Sequence, residues 1–123
     1  MIRVGQTQSK GRGVFASSAI HAGETIEEAP VVIVPAHQIT QLDATVLGDY
    51  YFLWGENESE AALMLGTCSL CNHSFKPSAR FELHPERQTI EFIALNDIAS
   101  GEEVTINYNG EPDSREPVWF PCE

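Results

Sequence analysis

The sequence predicts a single small domain that is mostly β with short helices. The chain has 123 residues, which fits one domain at roughly 100–200 residues per domain. Glycine and proline divide it into short segments whose lengths fit strands better than helices. The composition, with 42% hydrophobic and 20% charged residues, is that of a globular chain and excludes disordered and collagen-like classes. We therefore expect one small core with little helix.

Several short segments are predicted to be strands. In chain order they cover residues 2–6, 13–17, 25–28, 31–34, 79–83, 89–95 and 104–108. The best hairpin candidate joins two of them across Pro85-Glu86-Arg87. Before this turn, Phe81 and Leu83 alternate with charged residues. After it, Ile90 and Phe92 alternate with residues whose side chains would lie on the opposite face of the strand.

Two segments are predicted to be helical. The clearer one begins at Asn57, a favourable N-cap, has Glu60 three residues later as in a capping box, and ends at Gly66. The weaker one covers residues 37–48. The apolar residues that it would place on one face are Ile39, Leu42 and Val46.

A weak internal repeat relates residues 20–26 to residues 98–104. In each segment an isoleucine precedes a glycine turn, and the turn leads into an alternating strand. The repeat is too short to indicate a solenoid.

The charge balance bears on the partners of the protein. Eighteen acidic residues against seven basic ones give a net charge of −11. This charge opposes the phosphate neutralisation on which direct nucleic-acid binding depends. A basic protein is the electrostatic complement, although an acidic surface that serves only solubility would have the same composition.

The sequence also bears on location. It contains no apolar run of the roughly 18–20 residues that a membrane span needs, and the first six residues lack the apolar core of a signal peptide. The cysteines, which are Cys68, Cys71 and Cys122, are odd in number and do not suit a disulfide framework. We therefore expect a cytoplasmic protein without membrane association.

The cysteine segment permits three interpretations. Cys68 and Cys71, with His73 nearby, have zinc-ligand spacing if Cys122 or His84 completes the set. A second interpretation makes Cys71 a nucleophile beside His73. The favoured interpretation is that both cysteines of the motif are buried and reduced, because free cysteine packs as a small apolar residue. No metal site is predicted.

Two further motifs are weak when taken alone. Gly11 and Gly13 flank Arg12 before an apolar strand, which indicates a tight turn or a close approach of the backbone to a ligand. The spacing fits neither a Walker nor a Rossmann motif. Tyr108 ends an alternating strand, where tyrosine most often packs with its hydroxyl satisfied.

Four sequence blocks are informative when they are considered together and in order. They are Gly-Arg-Gly-Val-Phe-Ala at 11–16, Asp-Tyr-Tyr-Phe at 49–52, Asn-His-Ser at 72–74 with Pro77 and Ala79, and Gly-Glu-Glu-Val-Thr-Ile-Asn-Tyr at 101–108. In this order the blocks resemble those of the SET-domain protein-lysine methyltransferases, and the chain is most similar to the minimal stand-alone SET proteins of bacteria and large viruses. The resemblance extends over about residues 2–110.

The resemblance implies a fold and a division of the chain. The fold would be the β-clip-like SET arrangement of small sheets with a C-terminal pseudoknot. Residues 1–110 would form the SET domain, and residues 111–123 would form a short aromatic tail in the place of a post-SET segment. No cysteine-rich zinc segment follows Tyr108, so Trp119 and Phe120 are expected to close the lysine channel.

The resemblance also implies roles for individual residues. The residues implied in binding S-adenosylmethionine are Lys10, Gly11, Arg12, Gly13, Asn72, His73 and Tyr108. Those implied in catalysis are Tyr108 and Tyr50. Those implied in the substrate channel are Phe52, Ile106, Trp119 and Phe120. Methyl transfer from a sulfonium to an amine needs alignment and a neutral lysine, so aromatic walls suit it better than an acid or a nucleophile.

The implied activity is S-adenosylmethionine-dependent methylation of lysine in a basic protein tail of histone-like or ribosomal type. Ile106 has no hydrogen-bonding group, which predicts methylation beyond the first methyl group. A homodimer would be one way for so small a chain to complete its substrate groove.

The chain departs from the family pattern at Ser69, Phe75 and Ser78, where arginine, cysteine and asparagine are common. These departures predict weaker cofactor binding. The alternative to an enzyme is therefore a SET-fold module that binds protein without modifying it.

Overall fold

The computed structural model describes residues 1–118. Its strands are β1 (Ile2–Gln6), β2 (Arg12–Ala16), β3 (Thr25–Val34), β4 (Phe52–Trp54), β5 (Glu60–Met64), β6 (Asn72–His73), β7 (Ala79–His84), β8 (Thr89–Ala94) and β9 (Glu103–Ile106). One α-helix, α1, covers Ile39–Asp43. Short 3₁₀ helices cover Ala36–Gln38, Val46–Asp49, Glu56–Glu58 and Thr67–Leu70. The expectation of a mostly β domain with short helices is confirmed.

The strands form two small sheets. The first has the order β1-β2-β9-β6, and the second has the order β4-β5-β3-β8-β7. Neighbouring strands are antiparallel except β6 and β9, which run parallel and bring Asn72 beside Thr105 and His73 beside Ile106. This parallel pair carries the residues of the third and fourth sequence blocks into contact.

One hydrophobic core connects the two sheets. Its largest fully buried side chains are Phe92, Ile20, Ile90, Ile98, Val14, Val104 and Cys68. Phe92 packs with two other aromatic rings, because its centroid lies 6.1 Å from that of Phe52 and 5.9 Å from that of Phe81. Burying side chains of this size contributes about 1.5–3 kcal/mol each. Within residues 1–118 no helix has the length and hydropathy needed to cross a membrane.

The hairpin prediction is confirmed. Strands β7 and β8 pair antiparallel, with Phe81 opposite Phe92 and Leu83 opposite Ile90. The predicted segments 25–28 and 31–34, however, are one strand, β3. The chain continues through Pro30, which lacks an N–H donor but whose carbonyl accepts from the N–H of Leu65 at 2.9 Å.

The helix predicted from Asn57 is wrong, because this segment forms a turn and then strand β5. Asn57 and Glu58 have φ of 58° and 54°, which is left-handed backbone that no α-helix contains. Strand β5 lies between β4 and β3 and buries Ala61 and Ala62 completely. Pairing on both sides of the strand therefore outweighs the local helix signals.

The second predicted helix is only partly formed. Helix α1 is five residues long and is flanked by 3₁₀ turns. Leu42 is buried as expected, but Val46 is 72% exposed and does not share its face. The chain leaves the helix at Ala44–Thr45, where the Thr45 hydroxyl accepts from the N–H of Leu47 at 3.2 Å.

The weak internal repeat corresponds to a pair of matching turns. Ile20 and Ile98 donate to each other's carbonyl at 2.8 Å. In the first turn the N–H of His21 donates to Glu24 Oε1 at 2.6 Å. In the second the N–H of Ala99 donates to Glu102 Oε1 at 3.0 Å. Each segment thus forms the same glutamate-closed turn, and the two turns lead into β3 and β9.

Candidate active site

Two cavities meet at a pair of tyrosines. The larger has a volume of about 640 Å³, and the smaller has a volume of about 350 Å³. Both are lined by Asp49, Tyr50 and Tyr108. A molecule in one cavity would therefore lie across these side chains from a molecule in the other.

The residues singled out from the sequence divide between the two cavities. Those that line the smaller one are Lys10, Gly11, Arg12, Asn72, Tyr50 and Tyr108. Those that line the larger one are Tyr50, Phe52, Ile106 and Tyr108. Gly13 and His73 are buried next to these residues rather than lining a cavity. Trp119 and Phe120 lie outside the described residues, as does Cys122.

A tight loop forms one wall of the smaller cavity. Thr7 closes it, because its N–H and its hydroxyl donate to the carbonyl of Gly11 at 2.8 and 2.9 Å. Gly11 has φ of +72°, which favours glycine over any residue with a side chain. Lys10 Nζ then donates to the carbonyl of His73 at 3.1 Å. The glycine-rich loop is therefore tied to strand β6.

The side chain of Asn72 has a fixed orientation. Its Nδ2 donates to the carbonyl of Arg12 at 2.9 Å and to Glu103 Oε2 at 2.8 Å. Both partners are acceptors, so the nitrogen must face them. The group that Asn72 offers to a ligand is therefore its Oδ1, which accepts hydrogen bonds.

Gly13 gives Asn72 and Glu103 the room they need. A Cβ on Gly13 would lie 2.7 Å from Glu103 Oε2 and 2.9 Å from Asn72 Nδ2, both shorter than real Cβ contacts. Glycine is thus required here by a close approach of side chains. The sequence identified Gly13 and Asn72, but it gave no signal for Glu103, which lies in the strand after Gly101.

Tyr108 is held at both ends. Its N–H donates to His73 Nδ1 at 3.0 Å, and its hydroxyl donates to the carbonyl of Cys71 at 2.7 Å. Burial raises the pKa of Tyr108 to about 12, and the proximity of Cys71, Tyr50 and Glu103 adds to this effect. The phenol therefore stays protonated at physiological pH and acts as a hydrogen-bonding group rather than as a base.

His73 supports Tyr108 from inside the core. It is 3% exposed, and its ring meets that of Phe75 edge-on at a centroid distance of 4.5 Å. Its Nδ1 accepts a hydrogen bond, so that nitrogen carries no proton. Burial lowers the pKa of His73, and the positive charge of Lys10 lowers it further. The neutral imidazole is the form that fits the structure.

The shifted pKa of His73 predicts a loss of stability in acid. The folded pKa lies below the ordinary value of about 6.5, so the unfolded chain takes up the proton more readily. The contribution of the neutral imidazole is complete above the unfolded pKa and is lost progressively as the pH falls toward the folded pKa. Urea unfolding at a series of pH values checks this. In His73→Asn, which keeps an acceptor without titrating, the same decrease should be smaller, and an equal decrease would contradict the assignment.

The cysteines of the motif are buried core residues, as the favoured interpretation predicted. Cys68 and Cys71 are free thiols with exposures of 1% and 2%. A hydrogen bond with Cys71, together with burial, raises the pKa of the Cys68 thiol. Glu27 holds this turn by accepting from the N–H groups of Thr67 and Cys68 at 3.2 and 2.8 Å. The contribution of Cys71 to the site is its main-chain carbonyl, which accepts from the Tyr108 hydroxyl.

The three departures from the family pattern have structural roles. Ser69 Oγ donates to the carbonyl of Gly66 at 2.7 Å. Phe75 packs on His73. Ser78 Oγ donates to the carbonyl of Glu103 at 3.2 Å and accepts from the N–H of Thr105 at 3.0 Å. Ser69 thus lines the larger cavity, whereas Phe75 and Ser78 line neither cavity and stabilise residues beside them.

The two cavities differ in charge. The charged residues that line the larger one are Asp49, Glu58 and Glu111, all acidic. Those that line the smaller one are Lys10, Arg12 and Asp49. The larger cavity therefore favours a cation, and the smaller one can accommodate a ligand that carries an anionic group.

Comparisons with known proteins agree with this geometry. The family model described as SET domain matches residues 11–109. The histone-lysine N-methyltransferase, H3 lysine-37 specific, of Schizosaccharomyces pombe is 32% identical over 123 residues, which is 99% of this chain and 78% of that protein. The range that the SET-domain model matches begins in the glycine-rich loop and ends just after Tyr108.

Solved structures give the same result. A candidate histone methyltransferase of Plasmodium falciparum has a TM-score of 0.72 and 30% identity, covering 87% of this chain and 91% of that chain. The Polycomb Repressive Complex 2 of Chaetomium thermophilum, in an autoinhibited conformation bound to S-adenosylmethionine, contains a region with a TM-score of 0.73 and 22% identity. That region covers 87% of this chain and 15% of the larger chain, and it is similar in fold.

Proposed function

This chain belongs to the SET-domain family and is an S-adenosylmethionine-dependent protein-lysine methyltransferase, and from this premise we propose that it methylates lysine in a basic, histone-like protein segment. The observation that carries the proposal is the meeting of two oppositely charged cavities at Tyr50 and Tyr108. One cavity suits the methyl donor, and the other suits a lysine side chain.

The residues around the smaller cavity fit the methyl donor. When bound, S-adenosylmethionine supplies an electrophilic methyl group on a sulfonium. Lys10 and Arg12 offer positive charge to its carboxylate, and Asn72 Oδ1 offers an acceptor to its ammonium or amino groups. The glycine-rich loop brings main-chain groups to the cavity wall. Glu103 keeps the Asn72 amide in the orientation that this contact requires.

The larger cavity fits a lysine that arrives as a cation. The acidic residues Asp49, Glu58 and Glu111 attract it, and the net charge of −11 assists its approach. The aromatic walls of Tyr50, Phe52 and Tyr108 stabilise an ammonium over their faces. The acidic residues favour the charged lysine during its approach, whereas desolvation against the aromatic side chains disfavours the charge and so promotes loss of the proton to solvent.

Tyr108 orients the resulting amine. Its hydroxyl proton is directed to the carbonyl of Cys71, so toward an amine N–H the phenol oxygen acts as an acceptor. This contact turns the nitrogen lone pair toward the methyl donor. Alignment of this kind supplies much of the rate enhancement of a bimolecular transfer, and no residue of the chain needs to act as a base.

Histone tails and acidic proteins provide a direct test of the substrate class. The chain is incubated with methyl-labelled cofactor and either core histones or acidic proteins of similar size, and labelled lysines are located by mass spectrometry. We expect label in lysine-rich basic segments, and we expect it to decrease with salt because the attraction is electrostatic. Equal labelling of acidic proteins, or labelling that does not respond to salt, would exclude the proposed selectivity.

The product is expected to carry more than one methyl group. Ile106 lines the larger cavity and is 3% exposed, and it offers no hydrogen bond to a water molecule that would compete with a methylated amine for space. With a single-lysine peptide and fresh cofactor, mass spectra at long reaction times should show dimethyl-lysine or trimethyl-lysine. Accumulation of the monomethyl product alone, with the enzyme still active, would refute this expectation.

A further inference from the structure

The residue before Tyr108 holds the chain that follows the last strand. Asn107 is 3% exposed, and its Nδ2 donates to the carbonyl of Ser114 at 2.8 Å and to that of Pro112 at 3.4 Å. Its Oδ1 accepts from the N–H of Asn109 at 3.0 Å. Every polar atom of this buried amide is therefore engaged, and both donors point at main-chain carbonyls.

Asn109, on the other side of Tyr108, adds a third contact of the same kind. Its Nδ2 donates to the carbonyl of Glu116 at 2.6 Å. The chain can fold back in this way because Gly110 adopts φ of +93° and donates its N–H to the carbonyl of Asn107 at 3.0 Å. Residues 111–116 are thus attached through their main chain rather than through their side chains.

From here on, the tail means only this attached segment, residues 111–116. It begins in the wall of the larger cavity. Asn109, Gly110 and Glu111 line that cavity together with Tyr108. A change in the path of the tail would therefore displace part of the wall against which a substrate lies. The smaller cavity has none of these three residues among those that line it.

We propose that Asn107 is a positioning residue that docks the tail as a wall of the substrate cavity. It acts through the main chain of residues 112 and 114 and does not touch the reacting atoms. The kinetic part of this inference rests on the proposed function, whereas the docking itself does not. The tail would then control the affinity for the substrate and leave the methyl donor unaffected.

The tail contains its own reporter of docking. Arg115 is exposed and lies between the carbonyls that Asn107 and Asn109 hold, so trypsin cleavage after it requires the tail to detach. Asn107→Asp keeps the shape of the side chain but removes both donors and places a charge against two carbonyls. We expect cleavage after Arg115 to accelerate about tenfold, as the loss of two hydrogen bonds implies. Asn96→Asp, the same change in an exposed loop, should leave the rate unchanged.

Kinetics then separate docking from catalysis. Asn107→Asp should raise KM for a basic peptide about fivefold to tenfold, with kcat within about twofold and an unchanged Kd for the cofactor. Asn107→Leu, which lacks both donors and the charge, should give the same pattern, and it covers the case in which the buried aspartate prevents folding. An unchanged cleavage rate in a folded variant would overturn the proposal, as would a fall in kcat at constant KM.

The two measurements also distinguish the inference from the proposed function. Proteolysis needs neither cofactor nor substrate. Faster cleavage of the variant would support docking even if the chain modified no basic peptide, and that second result would contradict only the proposed function. Unchanged cleavage together with normal methylation would contradict only the docking of the tail.

Discussion

Tyr108→Phe is expected to reduce methyl transfer by about 100-fold or more while the chain still folds, because the amine loses the contact that aligns it with the methyl donor. The substitution removes one oxygen atom and, with it, the hydrogen bond to the carbonyl of Cys71. The cost in unfolding free energy should be about 1 kcal/mol, which shifts Tm by a few degrees. Transfer to a histone peptide, measured with the labelled cofactor, checks the activity.

A matched substitution makes this test specific. Tyr51→Phe removes a hydroxyl that is hydrogen-bonded to Asp43, from a tyrosine that lines the larger cavity but not the smaller one. We expect a much smaller loss of activity from it. If Tyr108→Phe retained near-native turnover, the hydroxyl would serve packing alone, and the transfer centre would have to lie elsewhere.

Gly13→Ala is expected to weaken cofactor binding by at least about tenfold without unfolding the chain, which corresponds to about 1.4 kcal/mol. The new methyl group would overlap Glu103 Oε2 and Asn72 Nδ2. The glutamate can move because its end is flexible, but its movement breaks the hydrogen bond that orients the Asn72 amide. Titration calorimetry with S-adenosylmethionine measures the effect.

The control lies directly across the sheet. Gly5 pairs with Gly13 in the β1–β2 ladder. A Cβ on Gly5 would crowd Arg3 and Phe15 instead of the cavity. Gly5→Ala should therefore destabilise the same sheet and keep the affinity for the cofactor. Equal losses of affinity in the two variants would show that strain in the sheet, rather than the orientation of Asn72, is responsible.

The sequence predicted those strands whose pattern is local. The β7–β8 hairpin needs only two alternating runs and a turn, and it forms with Phe81 opposite Phe92. Strand β5 was missed because Asn57, Glu60 and two alanines favour a helix locally, whereas its position between β4 and β3 depends on residues about 30 positions away. Strand β6 has two residues and is defined by its pairing with β9.

The candidate site was likewise predictable from the sequence only in part. The blocks that resemble the family identified Tyr108, Tyr50 and Asn72 by their place in a motif. The groups that orient them were not predictable, because Glu103 lies 31 positions from Asn72 and Cys71 lies 37 positions from Tyr108. These contacts form only when β6 and β9 pair, and the hydrophobic periodicity of neither segment indicates them.

The partner of the Tyr108 hydroxyl has a consequence for genetics and for engineering. Because the acceptor is the main-chain oxygen of Cys71, replacing the side chain with alanine or serine leaves the acceptor in place. A mutational scan of side chains would therefore report position 71 as a core-packing position and would not detect that its carbonyl holds the Tyr108 hydroxyl. Insertion or deletion of one residue in the turn at Thr67–Leu70 would move that oxygen. Variation in the length of this turn, more than variation in its composition, should therefore separate active from inactive relatives.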